Sequence, residues 1–471
     1  MHLVLRRIHH FPYLLLGLLP FLFFTAVTFL ELPSVWPDEA IFADTARNIT
    51  MRGTLATDLF LDIIPGMQER ALWYPPLYFY LLSWWTRLTA FDIVSIRLFS
   101  ILTSCLSLIV LYALSVRITQ RKWLGVIAMM LLGVDYSFLR AGQVGRMDAL
   151  TFLWIISALY AGYEGRIGNS LVWLLVAGVL GGLAILTHPL GGIAPAALAI
   201  YLFITKQSYR RLVIEYSVFF VPIAVAAIGW YLWIGSYLAA FITQYQLQFE
   251  RKADSPFFAV ILAQNYWSWR LLFLFYASIC VYACTLRKQL RLIQLLTVGI
   301  VVAVIILMWG KEMWYTLYLQ PWVVLFLIFV IHACAIRKLA YGMVALYLIL
   351  NMWLIRSPII QYPSYAHLQS VLAHNIPRYG TIYLSHIPDP YFILQTQYPS
   401  THLLEFPTVP VSDEAYERLL AASDYLIINQ VFDERMSSYI KRNMLKQTPL
   451  IAPDGTRVST LITLKPRNKR K

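Results

Sequence analysis

The sequence contains few charged residues and few cysteines. Only 13% of its 471 residues are charged and 59% are hydrophobic, whereas soluble domains average about 25% charged and about 45–50% apolar residues. A soluble globular protein is therefore excluded. The four cysteines, Cys105, Cys280, Cys284 and Cys334, all lie in apolar runs. This placement indicates neither a disulfide framework nor a zinc site.

The sequence also has no internal repeat, no low-complexity tract and no glycine-rich phosphate-binding motif. Its 38 lysine and arginine residues outnumber its 24 aspartate and glutamate residues. In a membrane protein such an excess reports the charge of the cytoplasmic loops. We therefore expect the membrane, and not a nucleic acid, as the partner of this basic chain.

What the sequence does have is a series of apolar runs, each of a length that suits a helix crossing a hydrocarbon core of about 30 Å. The first run, 11–30, has no cleavage site, so it is interpreted as a retained span. Because Arg6 and Arg7 precede it, the N-terminus is predicted to be cytoplasmic. The later runs are roughly 97–117, 123–139, 149–163, 170–187, 191–205, 212–234, 267–286, 291–309, 316–335 and 340–356.

Every second loop between these runs is basic. Such loops are cytoplasmic, and the alternation predicts eleven crossings with residues 32–75 and the C-terminal region on the outer face. This count requires that the short apolar segment 75–90 does not cross. We interpret that segment as a re-entrant or interfacial helix, although a normal crossing stays open as an alternative.

The composition changes after Arg356, where prolines, histidines and carboxylates become frequent. Short β-type runs at 381–385 and 425–429 flank a helical pattern at 413–422, which predicts a soluble α/β domain. The predicted organisation is a membrane domain, 1–356, followed by an extracytoplasmic domain, 357–471.

Ionisable residues occur at the outer ends of several spans, where charge is costly unless it is paired or faces a cavity. Asp38 and Glu39 follow the first span and suit either a helix cap or a base or metal ligand. Arg146 and Asp148 suit either a structural ion pair or, for the arginine, a phosphate clamp. For three others, structural packing or interfacial anchoring is the alternative to a site: His188, Lys311 and Tyr315. Their shared face favours one site.

Together these residues resemble the GT-C membrane glycosyltransferases of the protein O-mannosyltransferase and lipid A aminoarabinose transferase type. The resemblance covers about 36–320 and is weak in the C-terminal domain. Its motifs are short, but their order and spacing are fairly specific: Asp38-Glu39-Ala40 with Ala46-Arg47, Tyr74-Pro75-Pro76-Leu77, Arg97-Leu98-Phe99-Ser100, Arg146 with Asp148, Leu186-Thr187-His188-Pro189-Leu190-Gly191, and Tyr315 with Pro321.

The resemblance implies a role for each matching position. Asp38 resembles the essential carboxylate of the first outer loop, with Glu39 beside it, and Asp148 belongs to the second outer-face motif. We expect these three to be catalytic. The expected contacts to the donor phosphate are Arg146, His188, Lys311, Tyr315 and Tyr74. His188 and Tyr74 stand where relatives often carry basic residues, which leaves the headgroup contacts and any divalent metal ion open.

The implied fold is an all-α GT-C membrane domain of about 11–13 transmembrane helices with a small C-terminal α/β domain. The implied reaction is transfer of a sugar from a polyprenyl phosphate to an acceptor hydroxyl of a lipid, glycan or protein, with inversion, on the outer face of a bacterial inner membrane. A polytopic transporter of lipid or sugar and a non-catalytic membrane scaffold are the alternatives.

Overall fold

The structure is a computed structural model that describes residues 10–61, 63–206, 208–251, 290–310, 312–333, 337–356, 363–429, 434–466 and 468. The predicted crossing at 267–286 and the predicted phosphate contact Lys311 lie outside these described residues. Cys280, Cys284 and Cys334 lie outside them as well.

The membrane region is helical, in keeping with its long apolar runs. Its α-helices are α1 Phe11–Thr28, α2 Pro37–Arg52, α3 Leu77–Leu88, α4 Ile93–Thr119, α5 Lys122–Gly133, α6 Tyr136–Gln143, α7 Asp148–Ile167, α8 Leu171–Thr187, α9 Ile193–Ile204, α10 Tyr209–Ile234, α11 Leu238–Glu250, α12 Leu290–Gly310, α13 Gln320–Ala333 and α14 Arg337–Arg356. Short 3-10 helices occupy Pro189–Gly192, Gly235–Tyr237 and Met313–Leu319.

Several of these helices are suited to cross a membrane. Among the described residues, four segments are long and apolar enough: Phe11–Thr28, Ile93–Thr119, Tyr209–Glu250 and Trp314–His332. Three shorter apolar helices accompany them: Leu171–Thr187, Pro189–Ile204 and Leu292–Met308. Large apolar side chains on α10, such as Val225 and Leu232, are exposed, as expected for a surface that faces lipid. The chain is a multi-pass membrane protein.

The apolar run at 123–139, predicted as one crossing, contains a break. It is divided into α5 and α6, which are bent by 73° relative to each other. Asp135 lies at the break and caps α6, because its Oδ1 accepts from the backbone N of Phe138 at 3.1 Å. The other oxygen accepts from the hydroxyl of Tyr347 at 3.0 Å. A polar residue that satisfies the free N–H groups of a new helix therefore divides the apolar run.

The segment 75–90 forms the short helix α3. Its 12 residues extend about 18 Å, which is less than the hydrocarbon thickness of about 30 Å. This helix is too short to cross alone, in keeping with the re-entrant or interfacial interpretation.

The C-terminal region is an α/β unit built on a five-stranded sheet. Its helices and strands are α15 Tyr365–Asn375, β1 Thr381–Ser385, α16 Tyr391–Gln397, β2 His402–Glu405, α17 Asp413–Ala422, β3 Tyr425–Ile428, α18 Glu434–Asn443, β4 Met444–Ile451 and β5 Arg457–Leu464. The strand order is β2-β1-β3-β5-β4. β1 is parallel to both of its neighbours, while β5 is antiparallel to β3 and β4.

This sheet packs against the outer loop that follows α1. The backbone N of Asp389 donates to the carbonyl of Val35 at 2.8 Å, and that of Glu405 donates to the carbonyl of Leu59 at 2.8 Å. The hydroxyl of Tyr391 donates to Asp44 Oδ1 at 3.0 Å. One hydrophobic core contains buried residues from both the outer loop and the sheet. The C-terminal unit therefore fixes the position of the loop that carries Asp38.

Candidate functional site

The first turn of α2 presents two adjacent carboxylates that have different partners. α2 begins with proline at its first position, which suits a residue without an N–H. Glu39 accepts from the backbone N of Trp36 at 3.1 Å and so caps the helix. Asp38, for which the cap was one interpretation, instead forms an ion pair with Arg146.

Glu39 is completely buried and all of its oxygens are used. Arg97, which is also fully buried, donates to Oε1 from Nε at 2.9 Å and to Oε2 from a terminal nitrogen at 2.6 Å. The backbone N of Gly145 donates to Oε1 at 2.7 Å. Such a bidentate pair fixes geometry as well as charge. Glu39 thus joins α2, α4 and the loop before α7.

Asp38, Arg146 and Asp148 form one buried ion cluster. Arg146 pairs with Asp38 through a terminal nitrogen and donates from Nε to Asp148 Oδ2 at 3.0 Å. The cluster joins residues 108 positions apart in sequence, because the loop between α6 and α7 lies against the start of α2. With two carboxylates and one guanidinium, it carries a net charge of −1.

An aromatic wall continues from this ion cluster. The hydroxyl of Tyr318 donates to Asp148 Oδ1 at 2.8 Å, and the Tyr318 ring stacks on His188 with 5.9 Å between ring centroids. The His188 ring also lies 5.7 Å from that of Tyr74 and 5.3 Å from that of Tyr315. His188 Nδ1 accepts from the backbone N of Leu190 at 3.0 Å. These contacts connect three of the predicted phosphate contacts to Asp148.

Two further arginines lie near the ion cluster. Arg140 and Arg146 both line a narrow cleft with Asp148, and the Arg140 guanidinium lies 5.0 Å from the centre of the Trp314 ring. Arg251 donates to Glu312 Oε1 at 2.8 Å. Burial raises the pKa of Tyr74, and the nearby positive charges of Arg251 and Arg146 partly oppose this shift. The positive charges of Arg251 and Arg146 therefore both act on Tyr74.

A cavity of about 200 Å³ opens beside this wall. We call it the aromatic cavity. Its lining includes Trp73, Tyr74, His188, Tyr245, Gln248 and Tyr315. The cavity brings together side chains from the outer loop, from the 3-10 turn before α9 and from α11. A concave, mostly apolar pocket with a few polar groups is the usual form of a small-molecule site.

The structure thus places seven of the eight predicted site residues in one region. Asp38, Arg146 and Asp148 form the ion cluster, Glu39 lies behind it, and Tyr74, His188 and Tyr315 line the aromatic cavity. The predicted contact Lys311 lies outside the described residues. Within the described part of the chain, no group of three or more His, Cys, Asp and Glu side chains is arranged to hold a metal ion.

Sequence reasoning did not identify five residues near the site: Arg97, Arg140, Gln248, Arg251 and Tyr318. Arg97 belongs to the motif Arg97-Leu98-Phe99-Ser100, but the motif does not show that Arg97 pairs with Glu39. Tyr318 lies in an aromatic stretch typical of interfacial anchors. Only its contact with Asp148 distinguishes it from its neighbours.

A family model and two solved structures are similar to this chain. Residues 74–233, about a third of the chain, match the model for dolichyl-phosphate-mannose-protein mannosyltransferase. That segment contains Arg146, Asp148 and His188, whereas Asp38 and Tyr315 lie outside it. No curated protein sequence matches the chain.

The solved structures extend the similarity to nearly the whole chain. ArnT from Cupriavidus metallidurans in the apo state has a TM-score of 0.62 at 13% identity, covering 94% of this chain and 97% of that one. The same protein bound to undecaprenyl phosphate has a TM-score of 0.60 at 12% identity, covering 96% and 97%. The predicted GT-C fold with its small C-terminal sheet region is confirmed, as is the resemblance to this group of proteins.

Proposed function

We propose that this chain is a membrane glycosyltransferase that moves a sugar from a polyprenyl-phosphate donor to an acceptor hydroxyl on the outer face of a bacterial inner membrane. The ion cluster beside the aromatic cavity carries the proposal. It supplies the Asp38 carboxylate for the acceptor and the Arg146 guanidinium for the leaving phosphate within one buried site. Two similarities support it: the mannosyltransferase family model over 74–233 and the fold of a protein solved with undecaprenyl phosphate.

In the proposed reaction, the acceptor oxygen attacks the anomeric carbon and forms the new C–O bond. The bond from that carbon to the phosphate oxygen breaks, and polyprenyl phosphate leaves with the electron pair. The acceptor proton passes to Asp38. A single displacement of this kind inverts the anomeric centre.

The leaving phosphate needs positive charge close by, and guanidinium groups suit it well. Arg146 pairs with both carboxylates of the ion cluster, Arg140 lines the same cleft as Arg146, and Arg251 interacts electrostatically with Asp38. Arg251 Nε is buried and has no hydrogen-bond partner among the described residues. We assign phosphate binding to these arginines together with Tyr74, His188 and Tyr315, and we keep Lys311 as a further candidate.

The three acidic residues differ in role. Asp38 acts as the base, and Asp148 orients Arg146 from the opposite side. Glu39 acts through others, because its oxygens are occupied by Arg97, Gly145 and Trp36. We therefore propose that Glu39 is a positioning residue that holds Asp38 in place, and not a group that touches the substrate.

The test is sugar transfer by the purified protein in liposomes, with a panel of polyprenyl-phosphate sugars and acceptors. General-base assistance contributes roughly 10²–10⁴-fold in rate, so Asp38→Asn should lose that much activity while the protein stays folded. Asp58→Asn is the matched control, since Asp58 lies in the same outer loop and pairs with the exposed Arg52. Transfer by Asp38→Asn at the wild-type rate would contradict the role of Asp38.

The same assay tests the other parts of the proposal. The anomeric configuration of the product, read by NMR, should be opposite to that of the donor, and retention would exclude a single displacement. Absence of transfer across the whole panel, with no donor bound, would favour a transporter or a scaffold.

A further inference from the structure

The aromatic cavity contains polar atoms that the proposed chemistry does not use. Gln248 is 8% exposed and Trp73 is 3% exposed. Among the described residues, neither the amide oxygen of Gln248 nor the indole N–H of Trp73 has a hydrogen-bond partner. A buried polar group left without a partner costs about 1–3 kcal/mol. Such atoms in a ligand-sized cavity indicate a ligand that completes their hydrogen bonds.

The two atoms are complementary in type. The Gln248 oxygen accepts a hydrogen bond and the Trp73 indole donates one, and a sugar hydroxyl can do both. The isoprenoid chain of a lipid donor can do neither. The rings of Trp73, Tyr74 and Tyr245 supply apolar faces against which a sugar ring can pack. The cavity therefore suits a sugar better than a lipid chain.

The cavity lining also constrains the charge of that sugar. None of the described lining residues is aspartate, glutamate, lysine or arginine. The nearby carboxylates are engaged, since Asp38 and Asp148 pair with Arg146 and Glu312 pairs with Arg251. A buried charge without a partner is strongly unfavourable. Among the described residues near the cavity, an ammonium on the sugar would therefore find each carboxylate already paired with an arginine.

The position of Gln248 is fixed by its own helix. Four residues earlier on α11, Gln244 accepts from the backbone N of Leu72 at 2.6 Å and donates to the carbonyls of Pro65 and Arg70 at 2.9 Å each. Residues four apart lie on the same face of a helix. Gln244 thus fixes this face of α11 to the outer loop, and Gln248 on the same face lines the cavity.

We propose that the aromatic cavity holds an uncharged sugar of the lipid-linked donor and that Gln248 determines specificity by hydrogen bonding to a sugar hydroxyl. This inference rests on the proposed glycosyltransferase function. It names the class of sugar that the site takes, which is a neutral hexose or pentose and not an amino sugar.

The test compares the binding of three lipids to the full-length protein in detergent, measured by quenching of tryptophan fluorescence. The lipids are polyprenyl phosphate without a sugar, a polyprenyl-phosphate neutral hexose and a polyprenyl-phosphate amino sugar. We expect Gln248→Leu to weaken binding of the neutral hexose donor about 3–10-fold, the value of one hydrogen bond. Binding of the bare lipid phosphate should not change.

Gln246→Leu is the matched control, because Gln246 lies on the exposed side of the same helix. It should change neither affinity. If Gln248→Leu weakens binding of the bare lipid phosphate as much as binding of the hexose donor, or does not weaken binding of the hexose donor, the assignment is overturned. Tighter binding of the amino-sugar donor than of the hexose donor by the wild type would also overturn it. Gln248→Glu provides an independent variant and should shift preference toward the amino-sugar donor, and an unchanged preference would also count against the assignment.

Binding without turnover separates this inference from the proposed function. Gln248-dependent binding of the hexose donor without any transfer would support the sugar site and contradict the enzyme. Transfer with no dependence on Gln248 would support the enzyme and contradict the sugar site.

Discussion

The buried pair of Glu39 and Arg97 should decide whether the outer loop folds. Both side chains are inaccessible to solvent, and the pair connects residues 58 positions apart. Replacement of Glu39 by glutamine changes few atoms but removes the only formal charge that faces Arg97 at hydrogen-bonding distance among the described residues. We therefore expect Glu39→Gln to destabilise the protein strongly.

The expected magnitude follows from the contacts. Both oxygens of Glu39 accept hydrogen bonds, so one of them would be replaced by an amide group that faces a donor. Arg97 would keep the carbonyl of Pro33, 3.0 Å away, but not a counter-charge. Removing one partner of a buried pair typically costs about 3–5 kcal/mol.

Asp38→Asn is the matched comparison at the neighbouring position. The asparagine at position 38 would keep a side-chain carbonyl oxygen that can accept a hydrogen bond from Arg146. Asp148 would still pair with the Arg146 guanidinium, 3.0 Å away. The expected cost is about 1 kcal/mol, the net value of one hydrogen bond. Two adjacent conservative changes should therefore differ in kind: Asp38→Asn loses activity and Glu39→Gln loses stability.

The assay is thermal unfolding of the purified variants in detergent at one fixed heating rate. Many large proteins unfold irreversibly, and their midpoints then depend on the heating rate, so the variants are compared at one rate. Adding Arg97→Met to Glu39→Gln removes the unpaired charge and should recover part of the loss. A wild-type midpoint for Glu39→Gln, or a double variant less stable than Glu39→Gln alone, would refute the reasoning.

Four further predictions concern packing, pH, hydrogen bonding and metal. Gly178→Ala would place a Cβ 2.2 Å from the Phe219 carbonyl oxygen. Such overpacking costs about 1–3 kcal/mol and should lower the unfolding midpoint. Gly229→Ala is the control and should leave the midpoint unchanged, because no atom of a neighbouring segment lies within 4 Å of the added Cβ. Burial raises the pKa of Asp389 from 3.8 to about 7 and that of the adjoining Glu405 well above its ordinary value. Since the folded state holds these protons, stability should fall as pH rises from about 4 to about 7, and Glu405→Gln should flatten that fall in pH-dependent melting curves; a fall of unchanged size would exclude the pair as its cause. Tyr318→Phe removes the 2.8 Å hydrogen bond to Asp148. If Tyr318 positions Asp148, this change should lower kcat about 10-fold or more with little change in donor affinity, and a change in KM alone would contradict that role. Because both carboxylates of the ion cluster engage Arg146, removal of divalent metal with a chelator should leave the transfer rate unchanged, and loss of activity restored by added metal would show that a metal takes part.

The fold was largely predictable because membrane helices carry a strong signal in their apolar runs. Runs such as 97–117 and 149–163 fall within α4 and α7. The break within the run at 123–139 could not be predicted, since hydropathy averages over Asp135 and hides the cap at which one helix ends and another begins. In the sheet, β1 and β3 were predicted, but β4 was not, because most of its side chains are exposed and give no alternating apolar pattern.

The site was partly predictable for a different reason. Alternating basic loops placed Asp38 and Arg146 on one face, and the structure brings them into contact. The sequence could not assign partners, since Glu39 and Asp38 are adjacent and chemically alike. Their different roles depend on which of them faces Arg97, and that is decided by how the first turn of α2 is oriented toward α4. Gln248 and Tyr318 become distinctive only through contacts made across distant segments.

The most direct test of the proposed function follows both halves of one donor molecule. A polyprenyl-phosphate sugar labelled separately in its lipid and in its sugar is supplied to liposomes that contain the wild-type protein and an acceptor. A glycosyltransferase should release polyprenyl phosphate and glycosylated acceptor in equal amounts, and Asp38→Asn should form neither. Movement of the intact donor across the bilayer, or sugar transfer that persists in Asp38→Asn, would contradict the account.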